Sequence, residues 1–143
     1  MKSIIERVTI TTVHETQVIN ITDVVLDIVK KSEVRSGFFF VISLHTTTGI
    51  FINEGIFDVE ADIIDTVMRL VPDDGSYRHA RYLPSDGQMG VNAVSHIRSV
   101  LLGFECFFPI ENGAPVMGGR QTIYFVELDG PQERTLVVQI FGV

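Results

Sequence analysis

The chain has 143 residues, of which 45% are hydrophobic and 20% are charged, and its formal net charge is −7. This is the usual size of one compact domain with a substantial core, so we expect a single domain over residues 1–143. The acidic balance argues against a nucleic-acid-binding surface, which needs a basic face.

The sequence shows no sign of a membrane segment or a secretory leader. No window of about 18 or more apolar residues lacks charge, and the opening MKSIIERVTITT lacks the apolar block and cleavage site of a signal peptide. Cys106 is the single cysteine and cannot form an internal disulfide, so we interpret it as an inert core thiol. These features favour a cytoplasmic protein.

The first two predicted elements are a strand and a helix. Residues 4–13, IIERVTITTV, are rich in β-branched residues and predict a strand. Thr22 and Asp23 can cap a helix that runs to about Val34. The apolar positions of this helix predict its buried face: Val24, Val25, Ile28 and Val29.

A nearly continuous apolar run, GFFFVISLH at residues 37–45, predicts a strand covered on both faces. A threonine-rich segment follows, and residues 49–54 resume as a strand. A strand that only filled a core would not carry His45, Asn53 and Glu54 so close together. Because Asn53 and Glu54 are adjacent, they point to opposite faces of an extended strand, and only one of them should share a face with the core residues.

Two amphipathic helices and a long loop form the middle of the chain. Residues 58–71 predict a helix with an apolar and a mainly acidic face. Residues 72–90 are polar and rich in Gly, Pro and Asp, and so long a loop in a small domain is often functional. Residues 91–102 predict a third helix that ends at Gly103. On it we expect a polar stripe of Asn92, His96 and Ser99, opposite a core-facing stripe of Val94, Ile97 and Leu101.

The last part of the chain predicts β structure. FECFFPI leads into Asn112-Gly113, which is a hairpin-turn signal. QTIYFVEL and RTLVVQIF flank DGPQE, which predicts a second hairpin. Strands and helices are mixed and the tail is an antiparallel meander, so the predicted class is α+β, with a mixed or antiparallel sheet and about three helices.

Three histidines are candidate metal ligands: His45, His79 and His96. Imidazole is the commonest protein ligand for zinc and related ions, and three such ligands with an open fourth position form a known catalytic arrangement. Their wide spacing in the chain matches no compact metal signature, so ordinary surface or hydrogen-bonded histidines are the alternative.

Two further groups of polar residues are candidates for a site. Glu54 could be a general base or the hydrogen-bond partner of a histidine, and a solvated strand-end carboxylate is the alternative. In VMGGRQ, Gly118 and Gly119 stand beside Arg120, where the backbone could approach an anion, although a Gly-Gly pair more often marks only a turn.

These motifs resemble the YjbQ family, whose members are described as secondary thiamine-phosphate synthase enzymes. The resemblance covers almost the whole chain and rests on HTTTGIFINE, YRH, NAVSHIRSVLLG and ENGAPVMGGRQTIYFVELDGPQERTLVVQIFG, which occur in the family's order. It implies a small α+β domain that assembles as a homotrimer. It also implies that the family's polar residues lie in a pocket near a subunit boundary: His45, Asn53, Glu54, His79, Asn92 and His96.

The roles of these residues follow from the resemblance together with their chemistry. The expected metal ligands are His45, His79 and His96, with zinc as the expected ion and Mg²⁺ as an alternative on a diphosphate substrate. The expected catalytic residues are Glu54, His45, His96 and Asn53, and the expected substrate-binding residues are Asn92, Arg78, Arg120, Gly118 and Gly119. The family usually has Gly-Thr-Trp-Gln where this chain has Gly118-Gly119-Arg120-Gln121, and it often ends in Gly-Glu where this chain ends in Gly142-Val143.

The activity that the resemblance implies is the condensation of a hydroxymethylpyrimidine diphosphate with a hydroxyethylthiazole phosphate, releasing pyrophosphate. Phosphate clamps for these small-molecule substrates would come from Arg78, Arg81, Arg98 and Arg120. Two alternatives stay open. One is a metal-dependent hydrolase of a small metabolite, in which Glu54 activates a metal-bound water. The other is a non-enzymatic trimeric module that binds a metabolite or a metal.

Overall fold

The computed structural model describes residues 1–79, 82–83, 88–89 and 91–143. Arg81 therefore lies outside the described residues. The elements in chain order are β1 Lys2–Thr11, β2 Gln17–Asn20, α1 Thr22–Lys31, β3 Ser36–Ser43, β4 Thr48–Glu54, α2 Phe57–Leu70, β5 Tyr82–Leu83, β6 Gln88–Met89, α3 Ala93–Leu102, β7 Glu105–Glu111, β8 Ala114–Pro115, β9 Gln121–Glu127 and β10 Glu133–Gly142.

The strands form antiparallel sheets. The larger sheet has the order β1-β10-β3-β7-β8, a second has the order β2-β9-β4, and β5 pairs with β6. This confirms the predicted α+β class with antiparallel sheets, and the described residues include three helices. Within the described part of the chain, no helix combines the length and the apolar character needed to cross a bilayer.

The core lies between the two larger sheets and α1. Its buried residues come from all three: Val25, Phe39, Ile50, Phe108, Phe125 and Val138. Cys106 belongs to the same cluster, and burial, with a smaller effect of the nearby Glu105 charge, raises the pKa of its thiol to about 12. A thiol that stays protonated is a poor nucleophile, which agrees with the predicted inert core role.

The predicted N-terminal capping of α1 is wrong. Ile21 precedes the helix and makes no side-chain cap, and the Thr22 N–H donates to the Asn20 side chain at 3.0 Å. The Thr22 hydroxyl instead accepts a hydrogen bond from the Ile123 backbone N–H at 2.9 Å, which ties α1 to β9. The helix ends at Lys31 rather than near Val34, and Val24, predicted to be buried, is 47% exposed.

Two predictions about the strands are also wrong. β3 is not covered on both faces, because Phe39 and Val41 are buried whereas Phe38 on the opposite face is 43% exposed. The strands β9 and β10 do not form the predicted hairpin. β9 lies between β2 and β4, and β10 lies between β1 and β3. The turn-forming residues between them reverse the chain, but both strands are buried centrally in their own sheets, so the chain crosses from one sheet to the other. The Asn112-Gly113 turn does join β7 and β8, as predicted, and both of its residues have positive φ.

Helix α3 has the expected length, and it ends at Gly103 as predicted, but it buries the face that was predicted to be exposed. Ala93, Ser95, Arg98 and Ser99 face inward, whereas the apolar Val100 is 82% exposed. The predicted core-facing residues Ile97 and Leu101 are exposed too.

The reversal has a physical cause in the hydrogen-bonding capacity of the buried side chains. The Ser95 hydroxyl donates to the Leu128 carbonyl at 2.6 Å, and the Ser99 hydroxyl donates to the Thr48 carbonyl at 2.5 Å. These bonds satisfy backbone carbonyls at the end of β9 and the start of β4, which a stripe of aliphatic side chains could not do.

Candidate functional site

Helix α3 lines two clefts that follow each other along its axis. The first, here called the His96 cleft, has a volume of about 550 Å³ and lies between α3 and residues 76–79: its walls include Tyr77, Arg78, His79, Ala93, His96 and Ile97. The second, the His45 cleft, has a volume of about 600 Å³ and includes Leu44, His45, Ser99, Val100, Gly103 and Phe104. Because His96 and Val100 are four residues apart, they lie on one stripe, about 6 Å apart along the helix axis.

The His96 cleft brings together two of the predicted metal ligands. The ring centroids of His79 and His96 are 5.4 Å apart, with an angle of 76° between the rings. Arg78, predicted to bind phosphate, lines the same cleft and is exposed. The fold thus places the loop motif YRH against the α3 histidine, although 17 residues separate the two histidines in the chain.

The segment that carries His79 folds back on itself after α2. The Tyr77 hydroxyl donates to the Pro72 carbonyl at 2.7 Å, and the Gly75 N–H donates to the same carbonyl at 3.3 Å. A Cβ on Gly75 would come within 2.5 Å of the Tyr77 ring, so this position accommodates only glycine without rearrangement.

Arg98 is not a phosphate clamp, contrary to the prediction. Its side chain is buried, and its Nε and Nη2 atoms donate to the Val71 carbonyl at 3.1 and 2.7 Å. Nη2 also lies 3.1 Å from the exposed carboxylate of Asp73. Arg98 therefore anchors the start of the segment that leads to His79, from the inner side of α3.

His45 is held on the wall of its own cleft by the backbone. Its Nε2 accepts a hydrogen bond from the Thr135 N–H at 2.8 Å. A neutral ring with Nε2 as acceptor carries its proton on Nδ1, so His45 offers a donor and not a free lone pair in this arrangement. Burial and the Arg134 charge lower the pKa of His45 below 6.5, against a smaller raising effect of Glu127, which favours this neutral form.

A buried ion pair behind His45 was missed by the sequence analysis. Glu127 and Arg134 are almost fully buried and bond in a bidentate fashion, with Nε–Oε2 and Nη2–Oε1 distances of 2.7 and 2.6 Å. Burial raises the pKa of the Glu127 carboxyl, but the hydrogen bonds from Arg134, the Asp129 N–H and the Thr12 hydroxyl outweigh it and lower that pKa. The signal that could have found the pair is the lone charge Glu127 in QTIYFVE, followed seven residues later by Arg134 at the start of ERTLVVQIFG.

Asn92, predicted to bind substrate, is engaged by the protein. Its Nδ2 donates to the Asp129 carboxylate at 2.8 Å. Asn92 immediately precedes α3 but its side chain does not cap the helix. Its position joins the start of α3 to the turn after β9.

A third group of predicted residues gathers around a separate cleft of about 470 Å³, here called the Glu54 cleft: Asn53, Glu54, Gly118, Gly119 and Arg120. Glu54 and Arg120 form a salt bridge there, with Arg120 largely exposed. The Gly118 N–H donates to the Gln121 side chain at 2.7 Å. Glu54 ends β4 and Thr48 begins it, so the two lie about 20 Å apart along the strand. Within this chain the Glu54 cleft is therefore separate from His45.

The described residues include no group of three or more His, Cys, Asp or Glu side chains placed to hold one metal ion. The pair of His79 and His96 is nevertheless spaced for a shared ion. Two imidazoles on a tetrahedral zinc, with Zn–N distances of about 2.0–2.1 Å, have ring centroids about 5.2 Å apart. A catalytic zinc usually has three protein ligands, so this pair would need a third, and the three-histidine metal site stays a prediction.

Comparison with known proteins supports the resemblance noted in the sequence. A family model described as UPF0047 protein YjbQ-like matches residues 6–143. A UPF0047 protein of Methanothermobacter thermautotrophicus is 37% identical over 131 residues, covering 92% of this chain and 87% of the relative. The UPF0047 protein YugU of Bacillus subtilis is 30% identical over 133 residues, covering 93% and 96%.

Solved structures share the fold over its full length. A YbjQ-like protein of unknown function from Sulfolobus solfataricus has a TM-score of 0.90 at 31% identity, with 99% of each chain covered. A hypothetical protein from Aeropyrum pernix has a TM-score of 0.87 at 28% identity, with 100% of each chain covered. These neighbours confirm the single α+β domain.

Proposed function

The chain belongs to the YjbQ-like UPF0047 family, and from this membership and the clefts on α3 we propose that it is a transferase of the thiamine-phosphate synthase type. It would join a hydroxymethylpyrimidine diphosphate to a hydroxyethylthiazole phosphate and release pyrophosphate. The observation that carries the proposal is the pair of adjacent clefts on one helix, which offers neighbouring places for two heterocyclic substrates.

The His96 cleft has the size and the chemistry for a phosphorylated heterocycle. Its volume of about 550 Å³ lies within the usual range for small-molecule sites, roughly 300–1,000 Å³. Tyr77 and Ile97 offer flat or apolar surface to a ring, and the Arg78 guanidinium suits a phosphate, which it can bind through two parallel hydrogen bonds. His79 and His96 add ring nitrogens for hydrogen bonds to the substrate.

The proposed bond-forming step needs positioning and charge more than proton transfer. The thiazole nitrogen attacks the methylene carbon of the pyrimidine, the C–O bond to the diphosphate breaks, and the nitrogen becomes a thiazolium cation. Because that nitrogen already has a lone pair, no proton has to be removed. The chain's contribution would be to hold the two substrates in attack geometry and to stabilise the leaving diphosphate, the latter through Arg78 and the imidazoles. A divalent ion, when bound, would neutralise part of the diphosphate charge.

The His45 cleft would receive the second substrate. Val100 and Phe104 give it apolar walls, which would limit water near the cationic centre. The neutral His45 ring would donate from Nδ1 while Nε2 stays bonded to the Thr135 N–H.

The homotrimer that the resemblance implies is part of the proposal. Its support is the apolar surface that α3 and its neighbours leave exposed: Val91, Val100, Leu101, Phe104 and Phe107. Burying one Val, Leu or Phe side chain contributes about 1.5–3 kcal/mol, so the association of these surfaces would be favourable. Subunit contacts there would also close the clefts against water, and the Glu54 cleft could reach the α3 clefts only from a neighbouring subunit.

A second candidate is the metal-dependent hydrolysis of a small metabolite, favoured by the ring spacing of His79 and His96. This function requires that the protein binds a metal ion and keeps it during purification. It predicts that the purified protein keeps zinc after loading and desalting, and that His96→Gln loses it, as measured by elemental analysis. A parent that retains no zinc would reject this candidate and leave the transferase proposal standing.

The transferase proposal is tested by steady-state formation of thiamine phosphate from the two precursors, with Mg²⁺ or Zn²⁺, followed by mass spectrometry. We expect Arg78→Met to raise KM for the phosphorylated substrates about tenfold or more, as loss of a charged hydrogen-bonding group does. His14→Gln is the matched control for His96→Gln, because His14 is exposed and lies outside the clefts. The absence of product with the parent protein and either ion would reject the transferase.

A further inference from the structure

We propose that Glu127 and Arg134 form a positioning pair that fixes His45 and the first turn of α3 relative to each other. Neither side chain is part of the walls described for the two α3 clefts, so the pair would act through the groups it holds. What the clefts bind rests on the proposed transferase function, whereas the geometry of the pair can be tested without a substrate.

The pair reaches His45 from two sides. Arg134 immediately precedes Thr135, whose N–H donates to His45 Nε2 at 2.8 Å. The Nη2 atom of Arg134 also donates to the Thr47 hydroxyl at 2.9 Å. One buried guanidinium thus holds both the strand that presents the donor and the segment that carries the ring.

The pair reaches α3 through the turn after β9. Glu127 Oε1 accepts the N–H groups of Leu128 and Asp129 at 3.0 and 2.9 Å. The Leu128 carbonyl then accepts from the Ser95 hydroxyl at 2.6 Å, and the Asp129 carboxylate accepts from Asn92 at 2.8 Å. The carboxylate therefore fixes the turn to which the first residues of α3 are bonded.

The Glu127 carboxylate accepts hydrogen bonds from several groups besides Arg134. Besides Arg134 and the two N–H groups, Glu127 accepts the Thr12 hydroxyl at 3.0 Å. An apolar pair of similar volume could fill the same space, but it could not orient two N–H groups and a hydroxyl at once. One ion pair thereby joins the chain segment carrying His45 to the turn that holds α3. The histidine rings of the two clefts therefore keep a fixed position relative to each other.

The test combines nuclear magnetic resonance of the histidine rings with ligand binding. The main variant is the double substitution Glu127→Gln/Arg134→Met, because it leaves no unpaired buried charge. Its matched control is Asp27→Asn/Lys31→Met, which removes an exposed ion pair on α1. We expect the parent and the control to show a His45 ring with a protonated Nδ1 and a hydrogen-bonded Nε2. In the double variant we expect that pattern to be lost and the affinity for hydroxyethylthiazole phosphate to fall at least tenfold.

A merely stabilising role would lower the melting temperature but leave the ring signals and the affinity of the folded variant unchanged, and that result would overturn the proposal. If the double variant does not fold, Thr47→Val removes one Arg134 contact with little change of shape and carries the test. Unchanged His45 nitrogen signals in Thr47→Val would then overturn it. A parent that does not bind the thiazole phosphate would count against the transferase alone, since the ring signals decide the positioning role independently.

Discussion

Replacing Arg98 with methionine should loosen the His96 cleft from its inner side. The guanidinium is 4% exposed and makes two bonds to the Val71 carbonyl, at the point where the chain leaves α2 for the segment that carries His79. Methionine keeps much of the side-chain volume but removes the charge and both donors. The Val71 carbonyl would then be left without these two partners.

The size of the effect follows from those bonds. Hydrogen bonds from a charged group contribute about 1.5–3 kcal/mol each, and since these two share one acceptor we expect a total loss of about 2–4 kcal/mol. Asp73 adds little, because its carboxylate is 82% exposed. For a chain of this size the loss corresponds to a fall in melting temperature of roughly 6–12 °C. The affinity for the hydroxymethylpyrimidine diphosphate should also fall about tenfold, because His79 is no longer held against His96.

The assay is thermal unfolding together with titration calorimetry of the hydroxymethylpyrimidine diphosphate. Arg69→Met is the matched control, because Arg69 is exposed and makes one hydrogen bond to Thr66 on its own helix. Its stability should stay within about 0.5 kcal/mol of the parent. A melting temperature of Arg98→Met within 2 °C of the parent, combined with weaker binding, would show that Arg98 contacts the ligand and would refute the anchoring role.

Three further predictions concern assembly, pH and the Glu54 cleft. Val100→Glu should give a monomer by light scattering whereas the exposed control Val13→Glu stays trimeric; a monomeric parent or a trimeric Val100→Glu would contradict the proposed interface. Because the folded pKa of His45 lies below 6.5, the unfolded chain takes up its proton first as pH falls, so stability drops below about pH 6.5 until the folded pKa is reached. His45→Gln should flatten that part of the pH profile of the unfolding free energy, as measured in urea. An unchanged slope of that profile would refute the assignment of the drop to His45. Glu54→Gln should leave kcat within about threefold of the parent value, because the proposed step needs no proton acceptor and Glu54 pairs with Arg120. A fall in kcat of a hundredfold or more would support Glu54 as the general base instead.

The elements of the fold could be predicted where local signals were strong. The β-branched content of β1, the amphipathic pattern of α2 and the Asn112-Gly113 turn each depend on a few neighbouring residues, and all were found near their predicted places. The partner of β10 could not be predicted in this way. DGPQE indicates a reversal of the chain, but whether two strands then pair depends on burial against distant strands.

The orientation of α3 shows a second limit of sequence patterns. A stripe of valine, isoleucine and leucine normally indicates the core face of a helix. Here the serines and Arg98 face inward, because backbone carbonyls of Thr48, Val71 and Leu128 lie there as acceptors. Those acceptors come from segments far away in the chain, so no local pattern reveals them.

The candidate site could be predicted in part. The YRH motif and the α3 histidine meet in one cleft. The resemblance implied one pocket that also holds His45 and Glu54, and these two line separate clefts of the chain. The ion pair of Glu127 and Arg134 was missed, because each charge by itself resembles a residue at a strand end. Its role becomes visible only when both strands are in place and the pair is seen to bond Thr47 and the turn after β9.

The most direct test of the transferase is a single-turnover reaction with the protein in excess over both precursors, in the presence of Mg²⁺ or Zn²⁺. Such a reaction would detect chemistry that is too slow for steady-state measurement. The proposal predicts thiamine phosphate and pyrophosphate in equal amounts from the parent, with both strongly reduced in Arg78→Met and His96→Gln and unchanged in His14→Gln. Intact precursors after prolonged incubation, or pyrophosphate without thiamine phosphate, would contradict it.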